Sequence, residues 1–255
     1  EGLTYIIDKF QGLDKESFEL VSPFVDMVKI YGALPLLVSE TTLKKRINFY
    51  HDFDVHVSTG STIAEFATLE NLLIPLTKKI AEIGFDAVEL GENNIDFDIE
   101  AKKKIVDIIM SQDLDLQWKV GKKDPRHQLS IEETLIKIDQ AMTLGLKKVV
   151  LEANEGLSVG IYDEKGVIKW NFIGALTAKY PPNTFIFEAP IESQQSALIA
   201  EFGQRVNLAE IRSDAITSVE SQRRGFLSKS VFGVSYLRKD PEGGPAAKFI
   251  YYINI

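Results

Sequence analysis

Apolar residues along this chain gather into short runs, each followed by a longer amphipathic stretch, and the alternation repeats about eight times. The runs are residues 3–8, 25–31, 54–58, 86–90, 114–120, 148–152, 184–188 and 206–211. They are rich in Val, Ile, Phe and Leu, as expected of strands covered on both faces. Helical periodicity marks residues 39–53, 62–83, 99–110, 130–144, 171–180, 194–202 and 213–225. Within 62–83, Leu69, Leu72, Leu73, Leu76 and Ile80 are predicted to share one buried stripe. Ser130 precedes Glu133 by three residues, the signature of a capping box. Gly84, Gly145 and Gly203 stand where helices should end.

Alternating strands and helices with short links imply a parallel sheet with right-handed crossovers. Eight such units fit a closed (β/α)8 TIM barrel over residues 1–226 better than an open doubly wound sheet. No Gly-x-Gly-x-x-Gly follows the first run, and no Gly-x-x-x-x-Gly-Lys-[Ser/Thr] loop is present. The rhythm stops near Gly225. Residues 227–255 form a C-terminal extension whose last run, 249–255, reads as a strand. It is expected to pair with another chain, giving a homo-oligomer, or to fold back over the barrel.

Composition narrows the field. The chain has 255 residues, 45% hydrophobic and 26% charged, enough for one full core. It has no cysteine, which excludes disulfides, thiol nucleophiles and cysteine metal sites. No apolar run reaches the roughly 18 residues of a membrane span, no signal peptide is visible, and a cytoplasmic location is expected. The net charge of −8 argues against nucleic acid or an anionic membrane as partner. The short basic stretch at 121–126 reads as a solvated loop.

Most of the predicted strands finish in an ionisable residue: Asp8-Lys9, Lys29, Glu89, Lys119, Glu152, Glu188 and Glu210. A charge inside a doubly covered strand is costly unless paired, and the C-terminal mouth of a barrel is where solvent and substrate reach such groups. The lysines and carboxylates are therefore expected to converge on one crevice, suited to proton transfer or metal-assisted chemistry. The competing expectation is an ion-pair layer, with Lys29 and Lys119 neutralising Glu89 and Glu152 and plugging the barrel top. Arg212 and Ser213, between the eighth strand and its helix, are placed to grip a phosphate or carboxylate. Arg223 and Arg224 read as helix C-terminal charges. His56 is expected in the core or behind the site, His127 on the surface, and Trp118 and Trp170 in the core. No Gly-x-Ser-x-Gly elbow is present. A small anionic substrate is the expected cargo.

Several motifs are similar to those of a known family. Asp8-Lys9, Asp26-x-Val28-Lys29, Lys45-x-Ile47-Asn48-Phe49-Tyr50 and Gly84-Phe85-Asp86-Ala87-Val88-Glu89 resemble the phosphosulfolactate synthases. So do Val120-Gly121-Lys122-Lys123, Ile186-Phe187-Glu188-Ala189-Pro190 with Ser193-Gln194-Gln195, Val206-Asn207-Leu208-Ala209 and Arg223-Arg224-Gly225. The resemblance implies a (β/α)8 barrel and magnesium-dependent addition of sulfite to phosphoenolpyruvate in coenzyme M synthesis. It implies Glu89 and Glu152 as acidic site positions, holding Mg2+, with Lys29 and Lys122 or Lys123 as basic ones. Lys119 or Lys29 would serve as proton donor or anion partner, and Lys9, Asn154, Arg212 and Ser213 would contact substrate.

The chain departs from the family pattern at informative places. Lys119 replaces a glutamate, Asn154 an arginine and Glu192 a lysine, and Tyr31-Gly32-Ala33-Leu34-Pro35 replaces a Gly-Trp-Gly-Thr-Ser loop. The exchange at Lys119 shifts local charge by two and should weaken a divalent cation site. Val57-Ser58-Thr59-Gly60 also resembles plant heat-stress-associated relatives. Two functions follow: a lyase acting on a small phosphorylated or carboxylated acid, or a barrel that has lost catalysis and serves in binding or stress.

Overall fold

The computed structural model describes residues 2–10, 14–156 and 158–226. Its strands are β1 (Thr4–Asp8), β2 (Met27–Ile30), β3 (His56–Thr59), β4 (Ala87–Gly91), β5 (Asp115–Val120), β6 (Val149–Leu151), β7 (Phe185–Glu188) and β8 (Asn207–Arg212). They pair in parallel in chain order, and β8 returns to β1, so the barrel closes. That last pairing, with Ile6 opposite Ile211 and Ile7 opposite Arg212, excludes the open sheet. Around it run α1 (Lys15–Val21), α2 (Leu34–Leu37), α3 (Glu40–His51), α4 (Ser61–Leu69), α5 (Leu73–Ile83), α6 (Ile99–Met110), α7 (Ile131–Thr143), α8 (Trp170–Lys179), α9 (Glu192–Phe202) and α10 (Ile216–Arg223). The capping box forms at Ser130 and Glu133. Gly84 ends α5 with φ +109°, a conformation that other residues adopt only under strain.

Each strand divides its side chains between two layers. Ile6, Val28, Val88, Leu151, Phe187 and Leu208 join the large core between barrel and helices. Their alternates, Tyr5, Met27, Ala87, Val150, Ile186 and Ala209, form a separate small cluster inside the barrel. This inner plug fills the lower half. The next inward position on each strand, two residues on, is therefore lifted toward the C-terminal mouth.

The structure corrects several expectations. The stretch 62–83 is two helices, because a continuous helix would drive the Pro75 ring into the carbonyl of Asn71. Asn71 instead adopts φ +57°, and Pro75 falls in the first turn of α5, where no N–H is needed. Leu69 and Leu72 consequently lie at the surface while Leu73 and Ile80 are buried. Helix α1, capped by Asp14 accepting from Ser17 N at 2.8 Å, was not anticipated; its seven residues bury only Phe18, too little for a periodic signal. His56 is exposed at the start of β3, and Trp170 is 41% exposed at the start of α8, whereas Trp118 is buried. His127 is on the surface, beside Asp124. The extension 227–255 and its expected strand lie outside the described residues.

Arg223 is the most consequential correction. It stands in the last turn of α10, but its guanidinium is buried under the barrel floor rather than solvated. It donates to the carbonyls of Gly2, Leu3 (3.0 Å) and Val206 (2.9 Å), tying together the N-terminal entries of β1 and β8. Arg224 pairs with Glu220. Replacing Arg223 with Met should leave buried carbonyls without donors and cost about 2–4 kcal/mol in urea unfolding. Arg126→Met, at an exposed loop pair, should leave the midpoint close to that of wild type. Equal midpoints for the two variants would refute the role given to Arg223.

Candidate functional site

Alternation delivers four charged side chains to the same height inside the barrel. Met27 is followed two residues later by Lys29, Ala87 by Glu89, Val150 by Glu152 and Ile186 by Glu188. On β5, Trp118 and Val120 face the outer core, which sends Lys119 inward. Glu210 arrives by another route. Strict alternation after the inward Ala209 would turn it out, but β8 slips register against β1 between Thr4 and Ile6, and Glu210 takes φ +59°. This bulge aims it into the mouth.

Space for the cluster comes from missing side chains. A Cβ on Gly91 would lie 2.8 Å from Lys119 Cβ, and one on Gly121 would lie 2.5 Å from Glu152 Cβ. Asp8 goes the other way. Its carboxylate faces α3, accepting from Arg46 Nε at 2.6 Å and Tyr50 Oη at 2.7 Å, so it braces the scaffold and not the crevice.

The result is a buried lattice of two ammoniums and four carboxylates. Lys29 Nζ lies 3.1 Å from Glu89 Oε2 and 3.0 Å from Glu188 Oε1, and pairs with Glu210. Lys119 Nζ lies 3.1 Å from Glu89 Oε1, 3.3 Å from Glu152 Oε2 and 2.6 Å from Glu188 Oε1. Glu152 is further held by Asn93 Nδ2 at 2.7 Å and by the Asn154 N–H at 2.8 Å, and Glu188 by the Ala153 N–H at 2.9 Å. An ion-pair layer therefore exists, as one expectation had it, but it does not seal the mouth. A cavity of about 350 Å³ opens above it.

The cavity's rim is basic. Lys9 sits over the Tyr31 ring at 4.7 Å, Lys123 reaches Thr62 Oγ1 at 3.4 Å, and Arg212 makes a two-bond pair with Asp214 while remaining largely exposed. All three line the opening, as does Asn154. Gly60, Ser61 and Thr62 also line it, presenting the start of α4, which no side chain caps. Its free N–H groups and dipole add positive potential. Lys122 is directed elsewhere: it meets Asp96 at 2.8 Å in a second cavity between the β4 and β5 loops. Adjacent residues of an extended loop point apart, so only Lys123 of the Lys122-Lys123 pair faces the mouth. Ser213 opens a short turn beside Arg212 and does not line the cavity. Glu192 is exposed on α9, accepting from Ser218, so that departure leaves the lining unaltered.

Burial and pairing set the protonation states. Burial would lower Lys29, but Glu210, Glu89 and Glu188 outweigh it and hold the ammonium well above its usual range. Burial likewise opposes the charge on Lys119, and Glu152, Glu188 and Glu89 overcome it. Burial pushes Glu152 up despite Lys119. Glu188 is desolvated too, yet Lys119 and Lys29 keep it below the ordinary carboxylate range. Glu210 is raised to about 7, since burial exceeds what Lys29 returns.

These groups do not fit a divalent cation. Carboxylate oxygens are the right donors for Mg2+, but both oxygens of Glu89, Glu152 and Glu188 already accept from an ammonium, an amide or a backbone N–H. Among the described residues, no group of three or more His, Cys, Asp or Glu side chains is arranged to hold a metal ion.

Comparison with known proteins decides the family. A model of the (2R)-phospho-3-sulfolactate synthase (ComA) family matches residues 1–229. The chain belongs to the phosphosulfolactate synthase family. A phosphosulfolactate synthase of Methanocaldococcus jannaschii is 32% identical over 239 residues, 91% of this chain and 94% of that one. Protein HEAT-STRESS-ASSOCIATED 32 of Arabidopsis thaliana is 23% identical over 252 residues, 89% of this chain and 86% of that one. Among solved structures, 3-keto-L-gulonate-6-phosphate decarboxylase of Vibrio cholerae matches with a TM-score of 0.58 at 8% identity, covering 89% of this chain and 99% of that one, a likeness of fold alone. Membership supports a lyase of the phosphosulfolactate synthase kind. Among the described residues, no helix is long and apolar enough to cross a membrane.

Sequence reasoning placed Glu188 and Glu210 among the strand-end charges expected at the mouth and named Lys123 as an alternative to Lys122, but gave none of the three a role of its own. Glu188 was legible, being two residues beyond Ile186 just as Glu89 is beyond Ala87. The bulge that aims Glu210 inward was not, because it leaves no signature in an apolar run.

Glu210 gives the site a pH dependence with a definite sign. Its carboxyl titrates near 4.5 when unfolded and about 7 when folded, so between these values the folded state binds more protons. Through this group, stability is undiminished below pH 4.5 and falls as pH rises toward 7. Thermal unfolding of wild type minus Glu210→Gln should therefore decline across that window, by on the order of 2–3 kcal/mol in total. A difference that stays flat from pH 4.5 to 7 would contradict the raised value.

Proposed function

We propose that the barrel mouth catalyses addition to a small phosphorylated carboxylic acid, with sulfite and phosphoenolpyruvate as the first pair to test. The observation that carries this reading is a cavity rimmed by Lys9, Lys123 and Arg212, with the Lys29 and Lys119 ammoniums set among carboxylates in its floor. Its volume, about 350 Å³, suits a small metabolite. In this reaction the sulfur lone pair of sulfite bonds to the methylene carbon. The double-bond electrons move into the carboxylate as an enediolate, and the phosphate-bearing carbon then takes a proton.

The residues divide these tasks by their protonation. Lys29 and Lys119 are held charged by their carboxylates, which makes them poor proton donors and good partners for the negative charge that grows on the enediolate. Glu210 titrates near neutrality and meets the cavity, which suits it to deliver the proton and recover another from solvent. Lys123 and the free N–H groups at the start of α4 suit the phosphate, and Lys9 and Arg212 the second anion. Arg212 must first leave Asp214, an exchange that costs little at an exposed site.

The alternative is a barrel that has lost turnover and only binds. The exchanges at Lys119 and Asn154 favour it, since both sit at the cavity. One assay separates them. Purified protein given phosphoenolpyruvate and sulfite should consume the first only when the second is present. Glu210→Gln should slow this by about 10²-fold or more, and Lys123→Ala should chiefly raise KM. No sulfite-dependent loss of phosphoenolpyruvate would remove the synthase reading, and an unimpaired Glu210→Gln enzyme would remove Glu210 as acid.

A further inference from the structure

We propose that the Lys119 ammonium occupies the seat of a divalent cation, so that this barrel carries its cation covalently and binds none from solution. The nest around Nζ is the observation. Three carboxylates from three strands, Glu89, Glu152 and Glu188, place oxygens at 3.1, 3.3 and 2.6 Å from it. Three converging carboxylate oxygens are what a hard divalent cation seeks. Here the centre is filled by a side chain whose root is fixed, because Gly91 and Gly121 pack against the backbone and Cβ of Lys119 and the Cβ of Glu152 more closely than any Cβ would allow.

Net charge alone would not exclude a metal. Four carboxylates against two ammoniums leave an excess of two negative charges when all are ionised, which a dication would neutralise. Occupancy excludes it. Lys29 takes Glu89 and Glu188 from the other side, Asn93 and the Asn154 N–H take Glu152, and the Ala153 N–H takes the second oxygen of Glu188. Of the four acids only Glu210 keeps an oxygen to which no donor among the described residues is directed, and one carboxylate is a weak site. A dication seated there would lie within a few ångströms of the Lys29 ammonium, where repulsion in a poorly solvated site is strong.

The claim that no dication binds stands on this geometry. Only its chemical purpose, a fixed positive charge beneath an enediolate, rests on the synthase reading. A tethered ammonium supplies one charge where a metal supplies two, but it needs no loading and keeps its position through turnover.

Mn2+ titration of the full chain, followed by electron paramagnetic resonance and calorimetry at pH 8, tests this without any substrate. Wild type should show no binding below millimolar Mn2+. Lys119→Ala should empty the nest and bind Mn2+ at least tenfold more tightly, and adding Glu152→Gln to that variant should abolish the gain. Lys119→Gln, one atom shorter and uncharged, serves as the second variant, with circular dichroism confirming that each is folded. Wild-type protein that binds Mn2+ as tightly as the Lys119 variants, and loses it on Glu152→Gln, would overturn the proposal. So would folded Lys119→Ala and Lys119→Gln proteins that both fail to bind.

Discussion

Two ammoniums buried among four carboxylates govern the upper half of this barrel. Stranding any of these charges would cost several kcal/mol, so the lattice exists only because the strands bring its members to one height. Lys29 alone bridges acids from β4, β7 and β8, and Lys119 bridges β4, β6 and β7. The lattice thus works as a polar counterpart of the inner apolar plug below it. Apolar packing at Tyr5, Met27 and Ile186 fixes the barrel's radius, and ionic pairing fixes the orientation of what stands on top.

Such a floor also separates structural from chemical charge. Lys29 and Lys119 have several partners each and stay charged across any ordinary pH. Glu210, at the bulge, has one ammonium and a view of the cavity, and so it is the member whose proton moves near neutrality. The strain of a left-handed residue within a strand is a known mark of functional positions, and here it has a direct effect. Without the bulge, Glu210 would lie under the helices and the cavity would have no group of matched acidity.

The architecture was legible in the sequence because a parallel barrel repeats one signal eight times. Misreadings fell where a single residue overrides the period. Pro75 split one helix, and α1 was too short and too polar to announce itself. The site was half legible for the same reason. Lys29, Glu89 and Glu152 obey the two-residue offset from an inward apolar residue, Lys119 alternates with the outward Trp118 and Val120, and all four stand at the mouth. Lys122 and Lys123 were not told apart because a loop has no period to say which of two neighbours turns inward. Arg223 was read as a helix-end charge, and nothing local reveals that carbonyls at the entries of β1 and β8 wait beneath it.

Family membership does not settle what one altered side chain has done. A glutamate-to-lysine exchange in a carboxylate-rich mouth would ordinarily be read as loss of function, since it removes a ligand and adds a repelling charge. Around Lys119 the geometry argues otherwise. An uncompensated lysine would be expelled toward solvent or lose its proton, as buried ammoniums without partners do. This one is buried in the cavity floor, paired with three acids and flanked by glycines that admit its backbone. A site that had merely decayed would have no reason to keep Glu89, Glu152 and Glu188 unpaired with anything but ammonium and amide donors. Their retention is what keeps the Lys119 ammonium charged beneath a cavity whose rim is positive. The rim draws an anion in, and Glu210 stays beside it as a proton source.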